Sequence, residues 1–261
     1  MMKNAVNKAD QWNADLYDSN HSFVSQYGNS LLELLNPKPN EKILDLGCGT
    51  GDLANKLFEK HIKVIGVDKS KNMIYQASRK YPSIPFIVKD ATTLEYQDEF
   101  NAVLSNATLH WIKQPNSALE CIYASLKNGG RFIAEFGGKG NIQMISNAII
   151  EEIKNLGLEF KEKNFPWYYP SIGEYTSLME KTGFRVSFAQ HYHRPTPLIG
   201  ENGLKNWIIM FGNDFFADID RSAKEQIITN VVYRLKNHLY QKNEDIWIAD
   251  YKRIRVIGFK E

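Results

Sequence analysis

The chain has 261 residues, 43% of them hydrophobic and 24% charged, and a net charge of +2. This is the makeup of an ordinary globular protein, long enough for one elaborated α/β domain or two small ones. The near-neutral balance offers no bulk attraction to nucleic acid or to a membrane. No apolar run approaches the ~18 residues of a membrane span, and Met1 to Asp10 lack the apolar heart of a signal peptide.

In chain order, the first segment opens with Gln11-Trp12-Asn13-Ala14-Asp15-Leu16-Tyr17. It then places Phe23, Tyr27, Leu31, Leu32, Leu34 and Leu35 at helical spacing, before Asn36-Pro37-Lys38-Pro39 ends the pattern. Trp12 and Tyr17 precede that helix and read as packing or as a flap over a ligand. The first strand is Lys42 to Leu46, followed by a glycine turn and a helix from Asp52 to about Lys60. The second strand, Lys63 to Val67, ends at Asp68; Ser70 then caps a helix carrying Met73, Ile74 and Ala77 on one face. Phe86 to Lys89 is a third strand ending at Asp90-Ala91, and Phe100 to Ser105 a fourth ending at Asn106. A helix over Pro115 to Leu126 stops at Asn128-Gly129-Gly130, and Arg131 to Phe136 is the fifth strand.

Strands alternating with helices predict a parallel sheet covered on both faces. Right-handed crossovers bring the carboxyl ends of the strands to one edge, where such sheets bind ligands. Asp45, Asp68, Asp90 and Asn106 all close strands at that edge. After Gly140 the pattern changes. Helices are expected over Ile142 to Leu156, Ser171 to Lys181, Leu204 to Phe216 and Ala223 to Leu239, with an aromatic loop at Phe165 to Pro170. Strand-like sequence near 184–192 and over Ile246 to Phe259 is expected to add an antiparallel pair to the sheet, with the helices between as a lid. Cys48 and Cys121 lie far apart and make no metal-ligand spacing, so no metal is expected, and reduced thiols fit a cytoplasmic protein.

The organising stretch is Ile43-Leu44-Asp45-Leu46-Gly47-Cys48-Gly49-Thr50-Gly51. An apolar strand ends at an acid, and three alternating glycines let a ligand approach the backbone. The dinucleotide fingerprint G-x-G-x-x-G would need glycine where Asp52 stands, and no G-x-x-x-x-G-K-[ST] loop occurs. Asp45 would repel a pyrophosphate but suits a ligand with an ammonium group.

Asp45 to Gly51 resembles the first signature motif of the class I S-adenosylmethionine-dependent methyltransferases. Trp12 to Tyr17, and the layout of the second half, are similar to the trans-aconitate methyltransferase-like proteins. The resemblance implies a Rossmann-like, doubly wound seven-stranded sheet with a late antiparallel strand pair and a helical lid. It implies one domain: flap and helix over 1–36, cofactor-binding core over 37–140, and the remaining strands over 141–261 with a lid insertion near 197–245. The implied cofactor is S-adenosylmethionine, bound by Tyr17, Asp45, Gly47, Cys48, Gly49, Gly51, Asp68, Lys69, Met73, Asp90, Ala91 and Asn106. Asp68 matches the acid on the ribose hydroxyls, and Asp90-Ala91 the adenine contact. Asn106 opens a stretch similar to the family's methyl-transfer segment, without the D-P-P-Y-type tetrapeptide of enzymes that methylate nucleic-acid bases.

Enzymes of the trans-aconitate type methylate carboxylates, which need no general base. The expected activity is therefore methyl transfer to a small-molecule acceptor, with no nucleic-acid or membrane partner. Trp12, His110, Trp111, Arg194 and Trp207 are the expected acceptor contacts. Arg194 would pair with a carboxylate, and His110 would donate to an anion or act as base for a hydroxyl. Alternatives are a hydroxyl or amine acceptor, a cofactor-binding regulatory protein without catalysis, and a nicotinamide oxidoreductase, which Asp52 disfavours.

Overall fold

The computed structural model describes residues 30–261; Trp12 and Tyr17 lie outside that range. Five parallel strands come first: β1 (Lys42–Leu46), β2 (Lys63–Asp68), β3 (Phe86–Val88), β4 (Phe100–Asn106) and β5 (Leu126–Gly137). They alternate with helices α1 (Asp52–Phe58), α2 (Lys71–Lys80) and α3 (Pro115–Ser125). Ile43, Leu44, Val103, Leu104, Phe132 and Ile133 are wholly buried. Burial on both faces is why these strands read as nearly unbroken apolar runs.

The sheet order is β3-β2-β1-β4-β5-β10-β6, where β6 is Phe184–His193 and β10 is Lys252–Lys260. β10 runs antiparallel to both β5 and β6. This is the expected doubly wound seven-stranded sheet with its late antiparallel pair. The chain runs outward from β1 to β3 and returns to place β4 beside β1, so a crevice opens at the carboxyl ends of those two strands. Two helices flank the second half: α4 (Gln143–Asn155) and α5 (Ile172–Thr182). Ser171 and Glu174 form a capping box at the start of α5, and Gly183, at φ 112°, ends it.

Between β6 and β10 lie β7 (Thr196–Ile199), α6 (Gly203–Phe211), α7 (Arg221–Leu239), β8 (Tyr240–Gln241) and β9 (Ile246–Ala249). The three short strands make a second sheet, β7-β9-β8. Its core of Trp247, Leu198 and Ile227 is continuous with Ile145 and Ile149 of α4 and with Trp207 of α6. The strand expected over Ile246 to Phe259 is therefore two strands in two sheets. Asp250, between them, fixes the break: its carbonyl accepts from Ile142 N at 3.0 Å and its Oδ2 from Met144 N at 2.8 Å, anchoring the first turn of α4. Among the described residues no helix is long and apolar enough to cross a membrane.

Candidate functional site

The glycine turn is fastened to the end of β2, because Gly47 N and Cys48 N both donate to the Val67 carbonyl, at 2.8 and 3.0 Å. Gly47, Gly49 and Gly51 have φ of +73°, +54° and +89°, a region open to glycine and costly for other residues. Their surroundings differ. A Cβ on Gly47 would stand 2.0 Å from Thr108 Oγ1, and one on Gly51 would stand 2.7 Å from the Phe86 ring. A Cβ on Gly49 would meet no atom within 4 Å, and Gly49 lines the cavity. Gly47→Ala is thus expected to destabilise the fold by at least about 2 kcal/mol, from backbone strain and the displaced threonine. Gly49→Ala should lose less stability but weaken ligand binding more. Denaturant melts and ligand calorimetry on the two variants check this inversion.

The cavity at the carboxyl edge has a volume of about 780 Å³. Of the expected cofactor residues Gly47, Gly49, Asp68, Lys69, Met73, Asp90, Ala91 and Asn106 line it. Asp68 closes β2 with its carboxylate held by two backbone amides, Gly49 N at 3.1 Å and Ser70 N at 2.8 Å. The acid is thereby aimed at the gap between the glycine turn and α2. Asp90 accepts from Thr92 N at 2.9 Å and Thr92 Oγ1 at 2.8 Å, and pairs with Lys69 Nζ at 2.7 Å. Burial alone would raise the Asp90 carboxyl, but these bonds outweigh it and hold the group below the usual carboxylate range. Asp52, which replaces a third glycine, bonds Lys80 Nζ and Tyr81 OH at 2.7 and 2.8 Å, bracing α1 against α2.

Asp45, Cys48 and Gly51 do not line the cavity. Burial pushes the Cys48 thiol well up, with Asp45 and Asp68 adding to it. Asp45 is 1% exposed, accepts from Ala54 N in the first turn of α1, and leaves Oδ2 without a partner among the described residues. Burial, then the nearby charge of Asp68, raises its carboxyl to about 7. The folded chain therefore keeps a proton on Asp45 that the unfolded chain loses near its ordinary value of 3.8, so stability falls as pH rises between those values and levels off above about 7. Asp45→Asn cannot ionise and keeps an acceptor for Ala54 N. It is expected to match the parent near pH 4 and to exceed it by about 2–4 kcal/mol at pH 8, read from melts across that range.

Beyond Asn106 the cavity becomes aromatic. Trp111, Trp167, Tyr169, Trp207, Phe211 and Tyr251 line it with His110 and Asn141. The Phe165 to Pro170 loop is drawn in by Tyr168 N, which donates to the His110 carbonyl at 2.8 Å. Trp167 stacks on Tyr169 at 5.6 Å and meets Trp111 edge-on at 5.5 Å. Trp207 Nε1 donates to Tyr251 OH at 2.6 Å. Helix α6 and the segment leading into β10 thus share one wall.

Arg194 does not line the cavity. Its guanidinium bonds Glu135, a β5 carboxylate that also accepts from Arg255 and from Tyr192 OH. Sequence reasoning missed Trp167, Tyr169 and Tyr251 as lining, and above all Arg253, which lines the cavity and is 3% exposed. Its guanidinium carbon sits 4.5 Å from the centroid of the Tyr251 ring. Nε and Nη1 are shut away from solvent with no hydrogen-bond partner among the described residues. Burial, then the charge of Arg194, lowers it to about 10, so it is a cation at neutral pH. Among the described residues, Glu135 is the carboxylate that Arg194 and Arg255 bond in this corner, and the charge of Arg253 lies beside that of Arg194.

Residues 44–134 match the methyltransferase domain family. Over 97% of its length the chain is 30% identical to an uncharacterized methyltransferase of Schizosaccharomyces pombe, covering 99% of that protein. It is 24% identical to malonyl-[acyl-carrier protein] O-methyltransferase 1 of Ilyobacter polytropus, covering 95% of this chain and 97% of that one. Among solved structures it resembles Haemonchus contortus phosphoethanolamine N-methyltransferase 2, crystallised with phosphomonomethylethanolamine and S-adenosylhomocysteine. The TM-score is 0.59 at 18% identity, covering 95% of this chain and 56% of that one.

Proposed function

The chain belongs to the S-adenosylmethionine-dependent methyltransferases, and we propose that it methylates a carboxylate oxygen of a small acid held in the aromatic end of this cavity. The observation that carries the proposal is Arg253. A buried guanidinium with two unpartnered nitrogens is costly to keep, and a carboxylate is the ligand whose geometry fits its donors.

The cofactor half of the cavity suits the family's cofactor. Asp68 has the two-oxygen acceptor needed for a ribose diol, Asp90 and the Ala91 amide the pair suited to an adenine edge, and Gly49 a backbone that a ligand can approach. Asn106, Lys69 and Met73 complete that wall, while Asp45 acts from behind the turn. When bound, S-adenosylmethionine supplies an activated methyl group, whose transfer to a carboxylate oxygen breaks a carbon–sulfur bond, forms a carbon–oxygen bond and releases no proton.

The remaining work belongs to the chain. Trp111, Trp167 and Trp207 exclude water and hold the acceptor's apolar body. Arg253 holds its charge, so alignment supplies most of the rate. The resemblance to a relative named as an O-methyltransferase supports oxygen as the methylated atom, and trans-aconitate and related acids are the first acceptors to try. Incubation of the protein with S-adenosylmethionine and a panel of small carboxylic acids should yield methyl esters by mass spectrometry. Turnover of amines or alcohols with no ester from any acid would overturn the proposal.

A further inference from the structure

His110 lines the acceptor end of the cavity and is 6% exposed. We infer that His110 is a fixed hydrogen-bond donor, with Nδ1 committed to the backbone and Nε2–H left for the acceptor, so that the site offers an acceptor no base at this position. The role as acceptor contact rests on the methyl-transfer reading above; the assignment of the proton does not.

The argument begins with the ends of two strands. The last paired residues of β4 and β5 are Asn106 and Glu135. Gly137 lies two residues further along β5, past the end of β4, so its N–H has no strand partner there. Such a buried amide needs an acceptor, and His110 Nδ1 supplies it at 3.3 Å. A ring nitrogen that accepts carries no proton, and in a neutral imidazole the proton is then on the other nitrogen. Turning the ring over would set Cδ2 against Gly137 N–H. Moving the proton to Nδ1 would set two donors against each other. Either change costs a buried hydrogen bond, so the lone pair that a base would use stays turned to the backbone.

The surroundings oppose a second proton as well. Arg253 faces the ring from β10, and Arg194 from the segment after β6. Tyr169, from the aromatic loop, stands 5.9 Å away between ring centroids, and Trp111 follows in sequence at 5.6 Å. Glu135, the carboxylate that β5 contributes to this region, is occupied by Arg194, Arg255 and Tyr192. Burial, and then the charges of Arg253 and Arg194, hold the imidazole well below its ordinary value. No described residue bonds Nε2. Among the described residues it has no acceptor, and it lies beside a guanidinium in the same condition. A carboxylate has no proton to lose when methylated, whereas a hydroxyl or ammonium group sheds one per turnover, so this constellation matches the first acceptor class and leaves the others unserved.

The test has two arms. In protein labelled with ¹⁵N-histidine, with His110→Asn used to assign the signal, Nδ1 should be unprotonated and Nε2 protonated from about pH 6 to pH 8.5 without titrating. A proton on Nδ1, or titration near the ordinary histidine value, would overturn the inference whether or not acids prove to be substrates. The second arm uses shape. An asparagine amide overlies Nδ1, and a glutamine amide overlies Nε2. His110→Asn should raise KM for the acid about 10- to 100-fold with a smaller change in kcat, and His110→Gln should recover about tenfold of kcat/KM. Equal loss of kcat in both variants, with a rising limb in the parent's pH profile that both lack, would make His110 a base and contradict the inference.

Discussion

Arg253→Met is expected to lower kcat/KM for the acid acceptor by roughly 100-fold or more, while raising the melting temperature by about 2–6 °C. The two effects share a cause. The guanidinium is buried, two of its nitrogens have no partner among the described residues, and its lowered value near 10 reflects burial and the charge of Arg194. Removing an uncompensated buried charge while keeping volume stabilises a fold by about 1–3 kcal/mol. Lost contact with the Tyr251 ring subtracts about 0.5–1 kcal/mol. The same charge, once an acid is bound, makes a charge-assisted pair in a low-dielectric wall, worth roughly 3 kcal/mol or more. Cofactor affinity, measured by calorimetry, should move by less than about threefold, because Arg253 stands at the aromatic end. A variant that melts lower and methylates acids as well as the parent would refute the assignment.

Asp68→Ala is expected to weaken cofactor binding by about 100- to 10,000-fold, since two hydrogen bonds to a charged acceptor disappear at about 1.5–3 kcal/mol each. The loss has a second component. The carboxylate holds Gly49 N at 3.1 Å and Ser70 N at 2.8 Å, so it also fixes the glycine turn to the start of α2. Asp68→Asn keeps one acceptor oxygen and should fall between the alanine variant and the parent. Titration calorimetry with S-adenosylmethionine reads both. A loss below about fivefold for alanine would show that the ribose site lies elsewhere.

The part of the cavity lined by Asp68, Asp90 and Asn106 was legible in the sequence because those residues sit at the carboxyl ends of parallel strands, and strand ends can be counted. Asp45, Asp68, Asp90 and Asn106 were found that way. What counting did not show was which of them line the cavity. Asp45 turns back toward α1 and is buried, because its side chain meets the first turn of that helix. The aromatic end was less legible for a topological reason. β10 is antiparallel, so it is the start of that strand that reaches the cavity. Its register puts Arg253 opposite Gly137. A pair of charged residues, Lys252 and Arg253, opening a strand that then places Ile254 and Val256 on one face was the available signal, and the rule about strand ends looks past it. Arg194 suited an acid by residue type, yet Glu135 claims it, a pairing between β5 and the far side of β6 that no local pattern encodes. Helices α6 and α7 were visible by their periodicity. The split of the last segment at Asp250 and Tyr251 was not, since both halves have the same apolar strand-like composition.

The most direct measurement offers the protein one molecule with two choices, a hydroxy acid on an apolar body, together with S-adenosylmethionine carrying a deuterated methyl group. The product is then treated with mild alkali and weighed. A cavity built around Arg253 and a donating His110 predicts a methyl ester, so the label is released by alkali and no labelled ether remains. Label that survives alkali on the hydroxyl oxygen, formed as fast in Arg253→Met as in the parent, would contradict the account.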